Sequence, residues 1–296
     1  MTRKKAIWIG ASLLLVVAAV AVANFVVNRI VRERFDRELA HMQNRLDVKY
    51  EGLRFEFWSG KVRVGQVTAT TANGQVKLLA ESVQVRDWER DAASGVVSRM
   101  GISGKGVQIY RRGEQGGWVP QLKGYGYDDP KLGLELDYQY EAESRGLTLD
   151  RLNVGGKEMG AFSLQGKFAD VAAVDWTRLG EGAMMQRLLA LGSLKIASMK
   201  FEYNDFGLLP KIFAAHAAAT NKTAPEYAEQ IFGMVEGQKS LRLTPSMLEA
   251  IHQFLQKPDR IELVMQPAKP VGTRDWFTAL LFRADLIKLL GVDIRT

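Results

Sequence analysis

The residue types that carry chemistry are few in this chain and stand far apart. Its three histidines, His41, His216 and His252, are too widely separated to share one turn of helix, so no pair of metal ligands can be drawn from spacing. Each reads as a solvated or core-edge histidine. There is no cysteine, which excludes disulfides, thiolate catalysis and any cysteine-based zinc or iron-sulfur site. The one obvious carboxylate pair, Asp128-Asp129, precedes Pro130 and reads as a surface turn, because general acid/base work needs a partner across a cleft. The run Gly101 to Gly106 (GISGKG) lacks the spacing and the following helix of a phosphate loop and reads as a turn between strands. No nucleophile elbow, zincin helix, Walker A loop or dinucleotide fingerprint occurs. The expectation is no catalytic residue, no metal site and no cofactor.

Charge narrows the partners further. The formal net charge is +7, from 40 basic and 33 acidic residues, and setting aside Arg3, Lys4 and Lys5 leaves 37 basic residues against 33 acidic. That surplus is too small and too dispersed for nucleic acid.

The elements that would hold any site begin with an uncharged run, Ala6 to Val27, whose only polar interruptions are Ser12 and Asn24. At about 1.5 Å per residue a helix of this length crosses a hydrocarbon core of about 30 Å. Ala21-Val22-Ala23 also has the small-residue spacing of a signal-peptidase site, but the apolar run continues past it, which favours an uncleaved anchor with the large downstream part outside the cytoplasm. Residues 29 to 46 read as a helical stalk whose Arg29, Arg32, Arg34 and Arg37 can touch anionic headgroups or simply be solvated.

From Val48 the apolar period changes from helical to two, as strands with one buried face require. Phe55 and Phe57, Val62 and Val64, and Val83 and Val85 alternate with polar neighbours, and Asn73-Gly74 marks a hairpin turn. Leu134, Leu136, Tyr138 and Tyr140 share one side of a strand, as do Phe162, Leu164 and Phe168. The alternation slips at Arg151 and near Ser198, which predicts bulges. Residues 113 to 130 read as a long loop. Beyond Asn204 the period is helical, with Thr223 to Glu226 as a capping box and Thr244-Pro245 as a second helix start. A strand from Ile261 to Met265 and a last helical region ending at Gly291 follow.

Two segments resemble a known family. Val48 to Thr70 (VKYEGLRFEFWSGKVRVGQVTAT) looks like the opening of AsmA-like bacterial envelope proteins, with Tyr50, Gly60, Val62, Val64 and Val67 at matching positions, and Gly104 to Ile109 (GKGVQI) repeats the pattern. Phe254 to Val271 is similar to the end of uncharacterised envelope proteins of this layout. The resemblance implies a curved sheet with an apolar concave face, anchored in the inner membrane, in a family linked to phospholipid movement.

The expected fold is therefore α+β: one N-terminal transmembrane helix, then a mostly antiparallel curved β-sheet with a helical C-terminal third. The expected boundaries are 1–28 tail and anchor, 29–46 stalk, 47–204 sheet and 205–296 helical and mixed part packed on the sheet. The expected function is a non-catalytic envelope protein of the periplasmic side. Its partners would be the membrane, phospholipid and other envelope proteins, and its candidate lipid-binding residues are the alternating apolar ones from Phe55 to Phe168. The alternative is a structural or partner-binding domain whose apolar faces close into a core.

Overall fold

The computed structural model describes residues 27–37, 39–40, 46–56, 59–74, 76–91, 97–111, 120–171, 194–238, 242–272, 275, 278–279 and 285–296. Among the described residues twelve strands form a single sheet, and every pairing is antiparallel. They are β1 Leu46–Lys49, β2 Gly52–Glu56, β3 Lys61–Thr71, β4 Val76–Arg90, β5 Val97–Arg111, β6 Leu132–Glu141, β7 Gly146–Gly156, β8 Gly160–Ala169, β9 Lys195–Asp205, β10 Arg260–Met265, β11 Val271–Gly272 and β12 Val292–Arg295. From β3 to β10 each strand pairs with its neighbour in the chain. The edges are split: β1 and β2 pair with opposite ends of β3, and β10 and β11 with different stretches of β9.

Local chemistry explains the strand ends and bends. Between β3 and β4 the Gly74 amide donates to Thr71 O at 2.7 Å, and the Thr71 hydroxyl takes the Val76 amide at 3.0 Å. Gly74 sits at φ 64, the left-handed region that glycine tolerates. Register shifts lie between Leu149 and Leu152 on β7 and between Lys167 and Phe168 on β8, opposite the slips read at Arg151 and Ser198. Gly101 to Gly106, read as a turn, instead lies in the middle of β5. There Gly106 adopts φ 61, and the extra residue it absorbs shifts the apolar face from Gly104 to Val107, a bulge rather than a strand end.

The helices are α1 (27–37), α2 Pro120–Gly124, α3 Leu208–Ala219, α4 Ala224–Glu236, α5 Pro245–Gln256 and α6 Leu286–Leu290. Asp205 starts α3 by accepting from the Gly207 amide at 2.8 Å and the Leu209 amide at 2.9 Å. Thr223 and Glu226 form the reciprocal capping box of α4, and Thr244 caps α5 ahead of its proline. Aromatic contacts stack the three helices: Phe213 and His216 against Tyr227, then Phe232 against His252. Phe254 of α5 meets Tyr203 of β9 with ring centroids 6.3 Å apart, which lays the helical layer on the apolar side of the sheet.

The expected layout fails in two respects. No helix of the described residues is long and apolar enough to cross a membrane, and the uncharged run read as a span lies, apart from Val27, outside those residues. The C-terminal third is not a helical unit beside the sheet, because β10, β11 and β12 extend the sheet itself. Ile261, Leu263 and Met265 share one side of β10, as Val292 and Ile294 share one side of β12, and they continue the apolar face of β9. The helix 27–37 is also docked rather than free-standing. Asn28 Oδ1 accepts from the Phe55 amide at 2.5 Å, Tyr50 donates to Asp36 at 2.5 Å, and Phe35 packs edge-on against Tyr50.

Candidate functional site

Antiparallel partners point to the same side of a sheet, so the register can be read as rows across it. One row runs from edge to edge: Phe55, Val62, Val85, Ile102, Leu136, Leu152, Leu164, Phe201, Leu263, Ile294. All ten are apolar, and nine steps of about 4.8 Å give a stripe of roughly 43 Å. The neighbouring row faces the other way: Arg54, Arg63, Gln84, Ser103, Glu135, Asn153, Ser163, Glu202, Glu262, Arg295. All ten of these are polar or charged. The sheet is thus amphipathic across its full width, with one hydrocarbon face and one aqueous face.

The sequence-derived candidates fall into these rows. Phe55, Val62, Val85, Leu136 and Leu164 stand in the first apolar row, and Val64, Val83, Leu134 and Phe162 in the next, which Leu53, Gly104, Val154, Tyr203 and Ile261 complete. Tyr138 pairs with Leu149, and Tyr140 with Leu147, which in turn pairs with Phe168, so these lie on the same face nearer the other strand ends. Phe57 lies outside the described residues. The topology therefore gathers all twelve described candidates on one surface. Reasoning from alternation passed over Ile102, Leu152, Phe201, Leu263 and Ile294. Ile102 lies in the run read as a turn, Leu152 and Phe201 follow the slips in β7 and β9, and Leu263 and Ile294 lie on short C-terminal strands whose place in the sheet no local pattern gives.

Burial along this face is uneven. Every residue of the ten-membered apolar row is half-buried, neither sealed nor fully exposed. Val64, at 1% exposure, is the largest side chain to be fully enclosed. Towards one end Tyr138 (7%), Tyr140 (9%) and Val171 (5%) form a compact buried cluster with Met100, Leu147 and Phe168 packed around it.

At the opposite ends of the strands the face closes into a cavity of about 170 Å³. Val107, Ile109, Leu132, Val154 and Phe162 form its floor, and Leu122 of α2, Met159 and Leu208 of α3 complete the walls. Residues 120–130 strap across it. Asp129 accepts from Gln108 at 2.6 Å and Tyr110 at 3.2 Å, Tyr127 donates to Glu158 O at 2.6 Å, and Tyr125 bonds His216 Nε2 at 3.0 Å. Asp129, expected as a plain surface turn, is thus one fastening of this strap. Burial, then the hydrogen bond to Asp129, pushes the Tyr110 hydroxyl up from its ordinary value.

The polar face is held by ion pairs. Arg86 on β4 reaches over β5 to Asp137 on β6, with Nη2 2.9 and 3.1 Å from the two carboxylate oxygens. Gly101 lies between them, and a Cβ there would come within 2.7 Å of Asp137 Oδ1 and 3.2 Å of Arg86 Cβ. Arg260 bridges Glu202 and Glu262, each at 3.0 Å, and Lys200 joins Glu262 at 2.7 Å. A hydrogen bond from Asn204 holds the Glu202 carboxyl below its usual range, with Arg260 and Lys200 adding to the effect. On α1 Arg29 pairs with Glu33 and Arg37 donates to the Glu33 carbonyl, while Arg32 and Arg34 are solvent-exposed. Among the described residues no cluster of three potential metal ligands occurs.

A family model described as an uncharacterized protein matches residues 153–296, a little under half of the chain, from the end of β7 through the helical layer to β12. An uncharacterized protein of Aquifex aeolicus (strain VF5) is 25% identical over 182 residues, covering 57% of this chain and 62% of that protein, so the match spans less than two thirds of the relative's length. The family model thus takes in the sheet's second half together with the helical layer, and both matches are to proteins described as uncharacterized.

Proposed function

We propose that this chain is a non-catalytic protein of the bacterial cell envelope, located at the inner membrane and facing the periplasm, that binds or conveys lipid hydrocarbon on its apolar sheet face. The observation that carries the reading is the unbroken, half-buried apolar row from Phe55 to Ile294 backed by an equally unbroken polar row. A surface of that kind offers no hydrogen-bonding group, so its complement is hydrocarbon. Its span of roughly 43 Å, at about 4.8 Å per strand, is far larger than a scattered exposed residue would need. A second reading, an apolar face closed into a core for a structural or partner-binding role, draws on the buried cluster of Tyr138, Tyr140 and Val171.

Lipid extracted from the purified protein and identified by mass spectrometry separates the two, since a closed core carries no stoichiometric lipid. Leu136→Glu and Leu164→Glu sharpen the test. On a lipid-binding face both abolish lipid uptake while the fold survives, because an open wall hydrates the charge. In a closed core each strands an unpaired charge at a cost of several kcal/mol, comparable to a whole domain's stability of about 5–15 kcal/mol. Unfolding of both variants, together with a lipid-free wild type, rejects the proposal. Alkaline phosphatase fused after Thr296 tests the compartment, and an inactive fusion in a bacterial host contradicts the periplasmic placement.

A further inference from the structure

The closed end of the apolar face differs from the rest in being bounded on several sides. Its floor is sheet, its walls are Met159 and Leu208, and the strap carrying Leu122 lies above. The polar side chains at its rim are already satisfied inside the protein. Asp129 is taken by Gln108 and Tyr110, and the Tyr203 hydroxyl donates to Asp205 Oδ1 at 2.7 Å. An occupant therefore meets a mostly apolar lining, which selects a hydrocarbon end over a polar group.

Size sets the second constraint. At about 170 Å³ the space is close to that of an engineered apolar cavity of about 150 Å³ that takes up benzene. It holds the end of one chain and not a whole lipid. Glycine keeps it open: a Cβ at Gly156 would meet Met159 Sδ at 2.9 Å and Leu132 Cδ2 at 3.1 Å, forcing two wall residues to move. Floor residues Val154 and Phe162 belong to the second apolar row, so the cavity opens onto the face along which a chain would lie.

We propose that this cavity is the stop for the methyl end of a single acyl chain lying on the face, and that it measures chain length. The inference rests on the lipid reading given above. Filling the cavity from two opposite walls, with Val154→Phe on the floor and Leu122→Trp on the strap, tests it. Full-length wild type and both variants are titrated with fatty acids of increasing length and with lysophospholipids carrying the same tails, by displacement of a fluorescent fatty acid. For wild type, affinity rises about fourfold per methylene, equivalent to about 0.8 kcal/mol, until the end reaches the cavity floor, and then levels off. Both variants level off at shorter chains, with affinity for short chains unchanged. Which series shows the break identifies the source of the tail, free acid or membrane lipid. Wild-type binding with the same break in a folded variant overturns the length gauge alone, and a wild type that binds no chain of any length overturns the lipid reading along with it.

Discussion

Replacing Gly101 with alanine reverses the sign that strand propensity alone gives. Glycine inside a strand costs about 0.5–1 kcal/mol relative to alanine, so the substitution should stabilise β5 if nothing lay over it. What lies over it is the Arg86–Asp137 bridge, whose side chains are only 24% and 26% exposed. A Cβ 2.7 Å from Asp137 Oδ1 cannot be accommodated, and the carboxylate is held in place by both contacts from Arg86 Nη2. Arg86 cannot yield on the other side either, since its Cβ and carbonyl oxygen lie 3.2 and 3.3 Å from the new atom. An exposed pair is worth about 0–1 kcal/mol and a broken buried one costs about 3–5 kcal/mol, so this partly covered bridge should cost about 1–2 kcal/mol net. Urea unfolding of wild type, Gly101→Ala, Asp137→Ala and the double variant measures this directly. In the Asp137→Ala background, where the clashing oxygen is gone, the Gly101→Ala change should lose most of its penalty. A Gly101→Ala protein as stable as wild type, or one whose loss is the same in both backgrounds, would show that the bridge does not constrain the glycine.

Two further perturbations bear on elements around the site. Asp205→Ala removes the acceptor for the Gly207 and Leu209 amides and leaves the Tyr203 hydroxyl only its long contact with Met159 O at 3.5 Å, and should cost about 2–4 kcal/mol in a denaturant melt; a loss below about 0.5 kcal/mol, less than a single helix cap contributes, counts against that bond set. Burial, and after it the bond to Asp36, pushes the Tyr50 hydroxyl up to about 12. Because the neutral form is the one favoured on folding, its stabilisation is complete below the ordinary tyrosine value near 10 and is lost as pH climbs towards 12. Tyr50→Phe should therefore show a shallower fall in melting temperature over that alkaline range, whereas parallel curves for the two proteins dismiss the assignment.

The period of two was legible because most strands bury one face and wet the other, and residues such as Leu134 to Tyr140 keep that alternation without interruption. The same signal set each strand's candidates on one side of that strand, since side chains two apart share a side, and the pairing then joined those sides into one surface. Bulges at Arg151 and Ser198 were legible as slips of phase. Gly101 to Gly106 was misread because glycine in a strand looks like punctuation, and only the neighbouring strands reveal that Gly101 leaves room for an ion pair spanning β4 to β6. The C-terminal strands were harder still. β12 has four residues, too short for a period to speak, and its pairing with β10 joins segments separated by a helix. The cavity and its strap were not legible, because the Tyr127 and Tyr125 bonds reach residues 31 and 91 positions away.

The order of the strands has a consequence for how the molecule is made. From β3 to β10 every strand lies beside its predecessor in the chain, so each new strand finds its template already formed. Contacts of short sequence separation cost little loop-closure entropy and favour rapid assembly. The sheet can therefore grow one strand at a time from its N-terminal edge while later segments are still being synthesised or threaded through a pore. Throughout that growth one unpaired edge stands open, a template for pairing with other chains. The strands beyond the helical layer replace the eleven-residue edge of β9 with the four-residue edge of β12, so truncation before β10 should leave a long edge bare and a sheet that associates edge to edge.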